Sequence, residues 1–119
     1  MIEVTSQPEL EEQLRTNAKV VALFYASWCP FCRSFISIFD KYAQSLESHL
    51  FMRVRIDEDE NPMWEEFSLE AVPSVISFVR GRTAKRLDCL LGRGLNERQF
   101  REWLKTLTSN GCPGKQEGY

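Results

Sequence analysis

"VVALFYASWCPFCRSF", residues 20–35, joins a run of β-branched and aromatic residues to two cysteines three positions apart. The run from Val20 to Ala26 shows no polar alternation, which is the pattern of a strand covered on both faces; such strands are central and parallel. After Pro30 the period changes. Phe35, Phe39, Tyr42, Leu46 and Leu50 step by 4, 3, 4 and 4, so the spacing predicts a long helix from Pro30 to about His49 with one apolar face against a sheet. His49 would then serve the C-terminal cap of that helix.

Upstream, residues 2–5 alternate as a first strand, and Ser6 as N-cap with Pro8 in the first turn opens a helix carrying Leu10 and Leu14. Beyond the cysteines, "FMRVRID" (51–57) alternates as a strand. Asn61 and Pro62 look like the cap and first position of a short helix with Trp64 and Phe67. "PSVISFV" (73–79) is a further buried strand, "RGR" (80–82) begins a turn, and "RLDCLL" (86–91) supplies the hairpin partner. A last helix opens near Asn96, with Phe100, Trp103, Leu104 and Leu107 on one face. The order β-α-β-α-β-α-β-β-α predicts a three-layer α/β/α domain over 1–108, on a mixed sheet of five strands with four helices. The polar, glycine-rich end "SNGCPGKQEGY" (109–119) is expected to be a flexible tail.

At 119 residues one core is expected, burying roughly two-thirds of the unfolded chain's surface. Fifteen basic and seventeen acidic residues leave a net charge of −2, which gives no footprint for nucleic acid or an anionic membrane. No apolar stretch approaches the roughly 20 residues of a membrane helix. The start, "MIEVTSQPELEEQL", lacks the basic-then-apolar plan of a signal peptide. A cytoplasmic monomer is therefore expected, or a secreted or endoplasmic-reticulum domain where a leader has been removed.

Cysteines stand at 29, 32, 89 and 112. The close pair admits three readings: a redox couple, a static disulfide, or half of a metal site. A zinc or iron–sulfur site needs further ligands, and Cys89, Cys112 and His49 stand neither in close pairs nor on elements expected to converge. "DEDE" (57–60) lacks the ligand spacing and central glycine of a calcium loop. No metal and no cofactor beyond the cysteines is expected. Cys89 reads as a small packing residue, Cys112 as an incidental thiol, and Trp64, Phe67, Phe100 and Trp103 as core.

Several of these motifs, in this order, resemble the thioredoxin fold family over residues 2–108. They are "FYASWCPFC" after a buried strand and opening a helix, Asp57 with "NP" (61–62), "AVPSV" (71–75), and Gly92 before the last helix. Glutaredoxins are less similar, because they lack the leading strand and helix and because their Gly-Gly after the proline-bearing strand is absent. The resemblance implies a thiol–disulfide oxidoreductase acting on disulfide-containing proteins, with a reductase or other thiol donor as its second partner. It also implies a cis peptide bond at Val72-Pro73, with the Val72 backbone pairing an extended substrate segment by β-augmentation.

The chemistry agrees with that reading. A thiol attacks a disulfide only as thiolate. With the helix starting at Pro30, Cys29 becomes its N-cap, and the first-turn amides and the positive end of the helix dipole face its sulfur. Cys32, three residues on, is the natural resolving thiol of a mixed disulfide on Cys29, and burial is expected to hold it in its thiol form. Trp28, Phe31, Val72, Pro73, Leu91 and Gly92 would rim the pair as a substrate platform. Arg33 and Arg93 would border it, suiting an acidic, extended partner.

One departure stands out: thioredoxins and protein disulfide isomerases usually carry a buried acid six residues before the first cysteine, where this chain has Leu23, with Arg53 at the companion lysine place. Resolution by Cys32 would then be slow, or the redox poise shifted. Two other functional readings compete, a disulfide oxidase or isomerase and a redox-inactive adaptor domain.

Overall fold

The computed structural model describes residues 2–89 and 93–108. Along the chain come β1 (Ile2–Val4), α1 (Gln7–Thr16), β2 (Lys19–Tyr25), α2 (Pro30–Tyr42), β3 (Leu50–Arg55), α3 (Pro62–Glu66), β4 (Ser74–Val79), β5 (Arg82–Asp88) and α4 (Glu97–Thr108). The strands form one sheet in the order β1-β3-β2-β4-β5. β3 runs parallel to both β1 and β2, and β4 runs antiparallel to β2 and β5. This is the mixed five-stranded sheet with four helices that the element order predicts. Leu91, Gly92, Cys112 and the whole segment expected as a tail lie outside the described residues.

β2 is central because it is apolar from its second residue: Val20, Val21, Ala22, Leu23 and Phe24 are all fully buried. Its successive side chains serve opposite faces. Phe24 packs on Phe67 at the end of α3, with ring centroids 5.2 Å apart, and Phe67 meets Phe78 of β4 at 5.7 Å. Elsewhere Phe39 of α2 meets Phe51 of β3 at 5.4 Å, and Phe35 of α2 meets Phe100 of α4 edge-on at 5.1 Å. Such pairs add about 0.5–1.5 kcal/mol each beyond the area they bury, so α2 is clamped between the sheet and α4.

The helix starts follow the side-chain chemistry expected of them. Ser6 Oγ accepts the Glu9 amide, and the Glu9 carboxylate accepts the Thr5 amide at 3.0 Å. Asn61 Oδ1 accepts from Met63 N at 3.0 Å. Asn96 and Gln99 cap α4 reciprocally, at 2.8 and 2.9 Å.

Two boundaries differ from the sequence expectation. The helix after the cysteines ends at Tyr42 instead of running to about His49. There the Ala43 amide bonds back to Asp40 O and the Ser45 amide to Tyr42 O, while Ser45 Oγ also donates to Tyr42 O at 2.7 Å. A serine hydroxyl that takes a helix carbonyl competes with the helical ladder, and an apolar period is blind to that competition. Leu50 consequently opens β3, and His49, instead of capping α2, pairs its Nδ1 with Ser48 Oγ at 2.8 Å. The second difference is β5, which begins at Arg82 and ends at Asp88 instead of covering 86–91. Arg80 (φ 54°) and Gly81 (φ 83°) close the hairpin in two residues and put Val79 opposite Arg82.

Candidate active site

The two cysteines stand where β2 gives way to α2. Cys29 is the N-cap of α2, in extended backbone conformation (φ −93°, ψ 117°), and Pro30 occupies the first helical position. The cap bond is made by sulfur: the Cys32 amide donates to Cys29 Sγ at 3.2 Å. The Cys29 carbonyl accepts from the Arg33 amide at 3.1 Å. From the other side the Cys29 thiol donates to Val72 O at 3.6 Å, and the Val72-Pro73 peptide is cis. The sulfur is thus held between the first turn of a 13-residue helix and the Val72-Pro73 segment that leads into β4.

Burial separates the two thiols. Cys29 keeps 5% of its surface and Cys32 none. Burial, followed by the Cys29 side chain, pushes the Cys32 thiol far above the ordinary thiol range. Its proton is therefore held tightly near neutral pH. Cys89, just past the end of β5, packs half-buried against the core. Its thiol is also pushed up, by burial first and then by Cys29, and it acts electrostatically on Cys32 in turn. The packing role expected for Cys89 holds, and its nearness to the pair is what the sequence concealed: Ser74 pairs with Asp88, which places the next residue beside the Pro73 end of β4.

Around the sulfur the expected rim is in part described. Trp28 (56% exposed) and Phe31 (43%) flank Cys29, and both are among the large apolar side chains left open to solvent. Arg33 and Arg93 are exposed as well. Leu91 and Gly92 fall outside the described residues. Two supports for the aromatic pair went unread in the sequence. Trp28 Nε1 donates to Asp57 O at 2.9 Å, while the Asp57 carboxylate accepts the Ser27 amide at 2.8 Å and the Ser27 hydroxyl at 2.7 Å. These bonds, with Ser27 N–H the strongest influence, hold Asp57 below the usual carboxylate range. Gly94, at φ 68°, lies so close to Phe31 that an added Cβ would come within 2.9 Å of the Phe31 Cβ and Cδ1. A side chain there would displace the ring.

Leu23 is fully buried beneath this junction. Across the sheet it shares a row with Arg53 of β3 and Glu3 of β1. The acid in that row therefore stands two strands from Leu23, roughly 10 Å at ordinary strand spacing. It is also engaged: Glu3 pairs with Arg53 at 3.6 Å and Arg55 at 3.5 Å. It bonds the Tyr25 phenol too, which burial and that bond push up to about 12. Arg53 Nε is buried with no hydrogen-bond partner.

Among the described residues no three His, Cys, Asp or Glu side chains gather as a metal site. No described helix is long and apolar enough to cross a membrane.

The thioredoxin family profile matches residues 1–105. Thioredoxin of Mycoplasmoides gallisepticum is 36% identical over 86 residues, 72% of this chain and 85% of that protein. A bifunctional thioredoxin reductase/thioredoxin of Mycobacterium leprae is 31% identical over 87 residues, 72% of this chain but 19% of that protein. Among solved structures, Plasmodium falciparum thioredoxin superposes with a TM-score of 0.76 at 21% identity, covering 89% of this chain and 98% of that one. Such similarity in sequence and fold, together with two cysteines sharing one sulfur-capped helix start, makes the chain a member of the thioredoxin family, a thiol–disulfide oxidoreductase that works through its own cysteine pair.

Proposed function

We propose that the chain is a protein-disulfide reductase in which Cys29 attacks and Cys32 resolves. The Cys29 thiolate bonds to one sulfur of a substrate disulfide, and the other substrate sulfur leaves as thiolate. Cys32, once deprotonated, bonds to Cys29 Sγ; the second substrate sulfur leaves and carries the electron pair of the broken mixed disulfide. Two electrons have then passed to the substrate, and the Cys29–Cys32 disulfide awaits a thiol donor. The observation that carries this assignment is the asymmetry at the helix start: Cys29 Sγ accepts the Cys32 amide at 3.2 Å and keeps some exposure, whereas Cys32 has none.

Trp28, Phe31, Val72 and Pro73 are proposed to hold the substrate chain, joined by Leu91 and Gly92. The place of Val72, beside the Cys29 sulfur and before the cis bond to Pro73, supports strand addition there. Arg33 and Arg93 favour a partner whose disulfide lies in an acidic, extended segment. Unchanged partner kinetics in an Arg33→Ala, Arg93→Ala double variant would remove that preference. A reductase is the expected donor, a view supported by the Mycobacterium leprae relative, whose name joins thioredoxin to its reductase. We place the working protein, as a monomer, in the cytoplasm, where thiol pools keep such a couple reduced.

Direction is tested by equilibrating the Cys29/Cys32 couple with glutathione. A potential near the thioredoxin value of about −270 mV, with catalysis of insulin reduction by dithiothreitol, is expected; one above about −200 mV would make the protein an oxidase or isomerase. An adaptor without redox function would leave insulin reduction at its uncatalysed rate.

A further inference from the structure

A chain of charges runs from the edge of the sheet to Trp28, and the cysteine chemistry makes no use of it. Glu3 of β1 pairs in register with Arg53 of β3. Its carboxylate lies 3.5 Å from Arg55 Nη1 and 3.6 Å from Arg53 Nη2. Arg55 turns its Nε toward Asp57 Oδ2 at 3.8 Å. The Asp57 carboxylate takes the amide and hydroxyl of Ser27, and its backbone carbonyl takes the indole N–H of Trp28 at 2.9 Å. Arg55 is the only member of this chain, among the described residues, that is ion-paired to both carboxylates.

Its position matters because the two acids are partly withdrawn from water, with side-chain exposures of 30% for Glu3 and 27% for Asp57. Partial burial weakens solvent screening, so the cation between them opposes their mutual repulsion and holds Asp57 against Ser27. Trp28 itself, more than half exposed, has little packing to fix it. Its orientation rests on the Asp57 carbonyl, and that carbonyl rests on the Ser27–Asp57 bonds.

We propose that Arg55 is a positioning residue for the substrate platform: paired with Glu3 and Asp57, it fixes the 27–28 turn and so the indole on which the substrate chain packs. The proposal rests on the reading of Trp28 as a substrate-holding residue.

The test uses the full chain with Arg55→Gln, which removes the charge and keeps most of the stem, and Arg55→Lys, which keeps the charge. Two quantities are read: KM and kcat for insulin reduction, and the indole N–H resonance of Trp28. The indole of Trp64, bonded separately to Glu58 O at 3.0 Å, is the internal control. Arg55→Gln is expected to raise KM about two- to fivefold, the range of a partly exposed ion pair, with a smaller change in kcat. It should move the Trp28 resonance while leaving that of Trp64 in place, and Arg55→Lys should recover at least half of both effects. An unmoved Trp28 resonance with unchanged KM in Arg55→Gln would overturn the proposal. Trp28→Ala separates the two readings. Unchanged KM in that variant defeats the platform itself, whereas KM raised there but not in Arg55→Gln defeats only the role of Arg55.

Discussion

The two sides of the β2–α2 junction are built from opposite materials. On the outer side, Ser27, Trp28, Asp57 and Arg55 form a hydrogen-bonded and charged brace, and the Cys29 sulfur meets an amide and a carbonyl. On the inner side, Cys32 and Phe35 of α2 and Leu23 of β2 have no solvent exposure, and the acid in the Leu23 row is two strands away and already paired. The contrast separates two tasks. In the proposed reaction the outer side receives the substrate chain and Cys29 attacks it from there, and the inner side holds the Cys32 proton, which must leave before the reaction can close. Attack is helped by the architecture; among the described residues of the Leu23 row, the one carboxylate is too far away and already paired, so it gives resolution no help.

Placing a base on the inner side should break this contrast most strongly. A positioned general base contributes about 10²–10⁴-fold, so Leu23→Asp is expected to speed release of product from the Cys29 mixed disulfide by about 10²-fold or more near neutral pH, at a cost in melting temperature. Because the Cys32 pKa lies well above the ordinary range, the thiolate fraction in the wild type grows about tenfold per pH unit across neutrality. Its resolution rate should climb in step, while the variant's profile should flatten. Stopped-flow measurement from pH 6 to 9 checks both, and an unchanged profile in the variant would contradict the reading.

Phe35→Ala opens a cavity on the inner side, where the ring is fully buried against Phe39 and Phe100. A loss of about 3–5 kcal/mol is expected in urea unfolding. Gly94→Ala disturbs the outer side instead. The new Cβ would sit 2.9 Å from Phe31 in a left-handed backbone, and a cost of about 1–2 kcal/mol is expected. Phe31 should shift its ring resonances as it gives way.

The smallest effect concerns pH. Asp57 has its pKa depressed in the folded state, first by the Ser27 amide. Its contribution is therefore present above the unfolded carboxyl pKa near 4 and lost as the pH falls through the lower folded value. Ser27→Ala removes the hydroxyl bond and leaves the amide, so NMR titration should show the Asp57 pKa moving upward without reaching the unfolded value.

Most of the fold was legible because the decisive signals are local. The unbroken apolar run at 20–26 announced a central strand, and Ser6, Asn61 and Asn96 announced helix starts that the structure realises with the expected bonds. What was missed depends on competition or on distance along the chain. The apolar period carries past Tyr42 while the helix stops there, because Ser45 takes the Tyr42 carbonyl, and the Arg80-Gly81 turn proved tighter than composition alone indicates. The Cys29–Cys32 pair could be read from its spacing. The brace behind Trp28 could not, since it joins residues about 30 to 50 positions apart, and register alone places Glu3 beside Arg53. The charged residues at 3, 53 and 55 on two strands, with 57 continuing the alternation just past the end of β3, were the available signal.

The division of labour between the two cysteines is tested most directly by mixing Cys32→Ser protein with a disulfide-bonded partner and weighing the product intact. One covalently held partner per chain is expected, attached through Cys29 and released by dithiothreitol, with none retained by Cys29→Ser protein. A Cys32→Ser protein that retains no partner, or one whose adduct maps to another cysteine, would contradict it.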